Sequence, residues 1–279
     1  MIKSIQIGYN ESFEKKCRFA SESGFRHISV NLTEIMSMDE YVWEKATEDI
    51  LKILQKNNLE CVQSHPFYYP LDMSSELLDD LFEFVTKQAI IASGKLSAPW
   101  CALHPRSSVN FGFSRKRAFE DNKRAMSVYL ECAKKYNTGI AAENLPIFPD
   151  AQGPMNAFYS SNYEDLCELV DSFNDESVGI CWDTGHANLV YSNQADVIKY
   201  LSDRIKCTHI HNNHGNGDYH MPPDSGNIDW NNVMQAFKSI GYEGPFTLET
   251  HCLYPDDFML KVFAKYNYGC LEYLETLLK

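Results

Sequence analysis

The sequence predicts an α/β fold, a (β/α)8 barrel of eight parallel strands with outer helices, and three observations carry that reading. Short apolar runs alternate eight times with longer amphipathic stretches along the 279 residues, the pattern of repeated βα units. Six of the runs end on a His, Asp or Glu, and in a barrel the C-terminal strand ends converge on one face. The first run ends Gly8-Tyr9-Asn10-Glu11, without the Gly-rich phosphate loop that usually follows the first strand of an open doubly wound sheet.

In chain order, strands are expected at residues 4–8, 27–31, 59–64, 100–103, 139–143, 178–183, 205–211 and 246–250. Amphipathic periodicity places helices at 38–56, 74–93, 115–136, 163–173 and 230–240, among others. Gly24, Gly139, Gly179 and Gly244 fall just before or at the start of strands, where helix-to-strand turns often require glycine. The stretch 145–161 is the longest without pattern. It is rich in Pro and aromatics (Pro146, Phe148, Pro149, Pro154, Phe158, Tyr159), the composition of a lid over a barrel mouth. No boundary interrupts the alternation, so residues 1–279 are expected to form one domain.

Composition narrows the function classes. Hydrophobic residues make up 44% and charged residues 23%, which is globular rather than disordered. A net charge of -13 and a pI near 5.1 oppose an electrostatic grip on nucleic acid. The one cationic cluster, Arg106, Arg115, Lys116 and Arg117, reads as the solvated start of a helix. Nine cysteines without a CxxC pair argue against a zinc ribbon or a thioredoxin-type site. Cys61, Cys101, Cys181 and Cys207 lie in expected strands, where reduced, buried thiols fit a reducing, cytoplasmic compartment. The N-terminus MIKSIQIGYNES lacks a basic region followed by an apolar stretch, and no segment is apolar enough to span a bilayer, so no membrane partner is expected.

The strand ends supply the chemistry. His65 follows LECVQS, His104 follows WCAL, Glu143 follows GIAA, Asp183 follows VGICW, His209 and His211 end IKCTHIH, and Glu249 ends PFTLE. Any one of these alone reads as a salt-bridged acid or a hydrogen-bonded wall imidazole. Delivered together to one rim, they read as a metal or catalytic site, since buried charges must otherwise be paired or solvated. Carboxylates mixed with imidazoles, without a thiolate, suit Mn²⁺, Mg²⁺, Co²⁺ or Zn²⁺. In DTGH, Asp183 can ligate while His186 reaches over the site, or the His186 imidazole can cap a backbone carbonyl. His209 and His211 have the two-residue strand period and point the same way. Asp218 with His220, and His65 with His104, offer enough donors for more than one ion; alternatively they contact substrate hydroxyls and Asp218 is a solvated acid.

Five motifs, AENLP (142–146), CWDTGHANL (181–189), HIHNN (209–213), DYHMPPDSGNIDW (218–230) and TLET (247–250), resemble the xylose isomerase-like barrel superfamily. That superfamily includes sugar phosphate isomerases/epimerases, ketose 3-epimerases and endonuclease IV. The resemblance runs from about the third strand to the eighth. Similarity to the ketose 3-epimerases implies one divalent ion on Glu143, Asp183, His211 and Glu249, with His186 contacting substrate. Those enzymes carry an Arg after the seventh strand. Here no Lys or Arg lies between Lys206 and Lys238, so the substrate grip differs and a phosphorylated substrate is disfavoured.

Similarity to endonuclease IV implies instead a three-zinc cluster on His65, His104, Glu143, Asp183, His186, His211, Asp218, His220 and Glu249. Two departures weigh against it: the GxHxS-like N-terminal motif is absent from IGYNES, and the loop from His211 to Asp218 is shortened. The favoured reading is a metal-dependent isomerase or epimerase of a small, sugar-like polyhydroxy carbonyl compound, with one ion or more. Glu143 and Glu249 would exchange protons with the substrate, and His186 would steady a substrate oxygen. The alternative is a multi-zinc phosphodiesterase acting on abasic DNA. A barrel that binds sugar without turnover is disfavoured, because neither Glu is replaced. Phe67, Tyr68, Phe148 and Trp182 are candidates for an apolar wall against the sugar. A homo-oligomer is compatible with the sequence.

Overall fold

Eight parallel strands pair in chain order and close on themselves, β1 (Ile2–Gly8), β2 (His27–Asn31), β3 (Glu60–His65), β4 (Trp100–Leu103), β5 (Gly139–Glu143), β6 (Val178–Asp183), β7 (Ile205–Ile210) and β8 (Pro245–Leu248). The computed structural model describes residues 1–67, 76–105, 114–147, 158–252 and 256–279, with the side chains of 76–79 excepted. The expected lid segment from Phe148 to 157, with Pro149 and Pro154, lies outside the described residues, as do Tyr68 and Arg106.

The outer ring is α1 (Phe13–Ser23), α2 (Glu40–Lys56), α3 (Glu76–Lys95), α4 (Arg115–Lys135), α5 (Tyr163–Asp171), α6 (Thr184–Val190), α7 (Gln194–Leu201), α8 (Trp230–Ser239) and α9 (Asp257–Thr276). Helices α2, α3, α4, α5 and α8 match the periodicity within two residues at each end. Asp39, Ser114, Asn162 and Asp229 cap α2, α4, α5 and α8 by accepting first-turn backbone N–H groups.

The turns from helix into strand follow one rule that only partly uses glycine. Each contains one residue with positive φ: Gly24, Asn58, Ser97, Asn137, Asn174, Ser202 and Gly241. Asn tolerates this conformation through its short polar side chain, which is why glycine alone was an incomplete marker. Gly139 has a different reason to be small: a Cβ there would sit 2.3 Å from the Trp100 ring.

Two cores differ in chemistry. Between barrel and helices, Ile28, Val30, Ile50, Ile90, Ile140, Ile180, Phe237 and Phe246 form one apolar cluster. Inside the barrel the side chains are small or polar: Ala102, Ala141, Cys181 and Cys207 with buried Ser4, Ser29, Gln63 and Thr247. Alternation along β6 sends Trp182 outward, fully buried and stacked on Tyr191 with its Nε1 donating to Gln194, so Trp182 is core rather than substrate wall. All nine cysteines are free thiols, and burial pushes Cys61 and Cys101 up to about 12 and about 11.

Candidate metal centre and active site

At the C-terminal rim the strand ends deliver their side chains inward. His65 closes β3, His104 follows β4, Glu143 closes β5 and Asp183 closes β6. The expected strands at 205–211 and 246–250 stop earlier, so His211 and Glu249 sit just past β7 and β8. Thr184 is the reason at His211: its hydroxyl receives the His211 N–H at 3.1 Å and approaches the His211 carbonyl at 2.9 Å. Glu249 still donates its N–H to the Ile210 carbonyl at 3.1 Å, which holds it to the barrel wall.

Asp183 is fixed by its own neighbours. Asn144 clamps its backbone, accepting the Asp183 N–H at 2.7 Å and donating to the Asp183 carbonyl at 2.9 Å. Asp183 also caps α6, accepting the His186 N–H at 2.7 Å. His186 lies in α6 and has a neighbour at each ring nitrogen. Its Nδ1 lies 2.9 Å from the Asn144 carbonyl, and its Nε2 lies 3.2 Å from Asp218. Gly185 leaves room for a neighbour: a Cβ there would be 1.9 Å from the His211 ring.

The loop after β7 folds back over the rim. Asn212 and Met221 pair in antiparallel fashion, with N–H···O distances of 2.8 and 3.0 Å. This brings Asp218 Oδ2 to 3.4 Å from His220 Nε2 and lays the His220 ring on that of His211. His220 Nδ1 meets the Glu249 carbonyl at 2.9 Å. His251, which the sequence reading did not single out, packs on His220 with ring centroids 4.5 Å apart.

The donor atoms gather into overlapping groups, each with atoms within 4.8 Å of one another. One is Glu143, Asp183, His209 and Glu249; a second is His65, His104 and Glu143; a third is His186, His211, Asp218 and His220; a fourth sets the Cys181 thiol, absent from the donors expected from sequence, beside Glu143 and His209. Of the four ligands implied by the resemblance, Glu143, Asp183 and Glu249 converge, with His209 beside them. His211 belongs to the neighbouring group and faces Asp183, its Nε2 3.0 Å from either oxygen. Asp183 therefore joins the two groups.

These acids are stabilised as anions against burial. His209 and His104 hold Glu143 well below the usual carboxylate range, and His209 and His220 bring Glu249 down to about 2. Bonds from His186 and His220 lower Asp218. Burial disfavours charge on His186 and His220, yet Asp183 raises the first well above its ordinary value and Asp218 raises the second to about 9. Among the buried side-chain atoms that have no hydrogen-bond partner among the described residues are Glu143 Oε2, His211 Nδ1 and Asp218 Oδ1 at the rim. Hard oxygens with imidazoles, several of them unsatisfied, fit a divalent cation.

Fold and site together define a barrel whose polar chemistry is concentrated at the C-terminal strand ends. The chain belongs to the xylose isomerase-like TIM barrel family, whose model matches residues 17–260. It is similar to the uncharacterized protein MJ1311 of Methanocaldococcus jannaschii, 26% identical over 215 residues, covering 75% of this chain and 70% of that one. A D-psicose 3-epimerase of Enterocloster bolteae is 31% identical over 86 residues, 31% of this chain and 27% of that protein. Among solved structures, a D-tagatose 3-epimerase-like protein superposes with a TM-score of 0.78 at 22% identity, covering 100% of both chains.

Proposed function

We propose that the chain is a divalent-metal-dependent sugar isomerase or epimerase acting on a small polyhydroxy carbonyl compound. The observation that carries this reading is the convergence of Glu143 and Glu249, from β5 and the end of β8, with Asp183 in one buried donor group. Glu143, Asp183, Glu249 and one imidazole would hold the ion, Mn²⁺, Mg²⁺, Co²⁺ or Zn²⁺. When bound it supplies Lewis-acid polarisation of neighbouring substrate oxygens. One Glu removes the proton next to the carbonyl and the other returns one, a division of labour available to two carboxylates in unequal surroundings. Their surroundings are unequal here: the Glu143 side chain is 1% exposed, whereas the Glu249 side chain is 12% exposed. His186, anchored through Nδ1, presents Nε2 toward the rim and orients a substrate oxygen. The test is deuterium uptake from D2O into D-psicose and D-tagatose by metal-loaded protein, lost after chelation and restored by metal.

One observation favours a second reading, a multi-zinc phosphodiesterase. The groups around His65 and His104 and around His186, His211, Asp218 and His220 are each dense enough for an ion of their own. Against it, Arg115 is engaged by Asp165, its Nε donating at 3.0 Å, and Lys116 and Arg117 face Glu120 and Asp121 at 3.9 and 3.8 Å. Metal-dependent nicking of abasic duplex, lost in His104→Ala, would establish this reading over the first.

A further inference from the structure

His209 is the side chain whose role distance alone leaves open, because its Nδ1 lies 3.1 Å from Glu143 and 3.3 Å from Glu249, where either a ligand or a hydrogen-bond donor could stand. The other side of the ring decides between them. The Thr33 backbone N–H can only donate, and it reaches Asn31 Oδ1 at 2.9 Å. Asn31 must therefore turn its Nδ2 to Gln6 Oε1, 3.0 Å away, which turns Gln6 Nε2 to His209 Nε2 at 3.5 Å. Gln63 Nε2 meets the same ring nitrogen at 2.7 Å, while its Oε1 takes the Thr247 hydroxyl at 3.2 Å. Two amide NH2 groups thus face one imidazole nitrogen, and that nitrogen must offer a lone pair.

We propose that His209 is a positioning residue, held by this amide relay with its proton on Nδ1, and that it steadies Glu143 against Glu249 instead of binding the metal. This rests on the reading of those two acids as the proton-transfer pair. Burial opposes a charged ring and Glu143 and Glu249 favour one, raising its pKa to about 10, yet a second proton on Nε2 would point into two donors, so the geometry of the relay sets the proton on Nδ1. With Nδ1 protonated, the nitrogen facing the acids has no lone pair for a cation, and the imidazole left to ligate beside Asp183 is His211. His209 Nδ1 lies off the hydrogen-bond line of both acids. It stands 3.1 Å from Glu143 and 3.3 Å from Glu249, close enough for a small shift of either acid to meet its proton.

Long-range ¹H–¹⁵N correlation spectra of histidine-labelled protein test this without reference to activity. The expected result is a His209 ring protonated on Nδ1 and bare on Nε2, unchanged on adding Zn²⁺, while the His211 signals move. A proton on Nε2, or loss of the Nδ1 proton with Zn²⁺, overturns the proposal. Gln63→Glu offers Nε2 an acceptor and should reverse the tautomer. In the folded variant, kcat for ketose proton exchange should fall about 10- to 100-fold with KM little changed, the range for losing a residue that orients an active group. A reversed tautomer with wild-type kcat also overturns the positioning role. Should wild-type protein exchange no ketose proton, the sugar reading fails, and the tautomer measurement still judges the relay.

Discussion

The rings of His211 and His220 stack with centroids 4.1 Å apart and planes within 15° of parallel. Two imidazoles this close repel if both are charged, so the arrangement depends on the acids at their edges, Asp183 for His211 and Asp218 for His220. Asp218→Asn removes the anion shared by His186 and His220. Metal held by that group should weaken about 10- to 100-fold, read by competition with a chromogenic chelator. Unchanged affinity would show that the group contacts substrate alone.

Gly185→Ala tests how tightly His211 is seated. The added Cβ cannot coexist with a ring atom at 1.9 Å, so His211 must turn away from Asp183. A loss of about 1–3 kcal/mol in stability is expected, measured by urea denaturation, together with reduced bound metal by elemental analysis. Full metal content would mean that His211 is dispensable as a ligand.

Asn144→Ala addresses the clamp on Asp183. It leaves the Asp183 N–H and carbonyl without their side-chain partner in a buried setting. Each unsatisfied group costs about 1–3 kcal/mol, so the urea midpoint should fall clearly. A variant as stable as wild type would mean that water replaces the amide.

The pH dependence of the metal-free protein follows from His220. Its pKa is raised to about 9, chiefly by Asp218 against the opposing effect of burial, from an unfolded value of about 6.5. A raised pKa means that the folded state binds the extra proton more tightly. The contribution is complete below about pH 6.5 and is lost as pH rises through about 9. Chelator-treated protein should therefore lose Tm across that interval, whereas metal-loaded protein should hold it, the cation replacing the proton. Parallel profiles for the two forms would remove His220 from the metal-responsive set.

The rim was legible because strand ends announce themselves: a short apolar run closing on Glu143 or Asp183 states both element and direction. The separation of α6 from α7 was not, because it depends on Asp183 capping a seven-residue helix that stops before Tyr191. Nor was the difference between His209 and His211, which share a strand period and diverge only when Thr184 draws the chain out of the ladder. Gln6, Asn31 and Gln63 carry no motif, and their meeting requires β1, β2, β3 and β7 to close around one ring. The two-residue spacing of Gln63 from His65 was the available signal, since it places both on the inward face.

In the proposed function, Glu143 and Glu249 move the protons of a ketose. Solvent deuterium exchange into D-psicose by metal-loaded Glu143→Gln and Glu249→Gln, beside wild type, tests it most directly. Wild type is expected to exchange, with a loss of about 10²- to 10⁴-fold in each variant, the range for removing a general acid or base. Undiminished exchange in either variant, or wild-type protein that ignores every ketose while nicking abasic duplex, would contradict it.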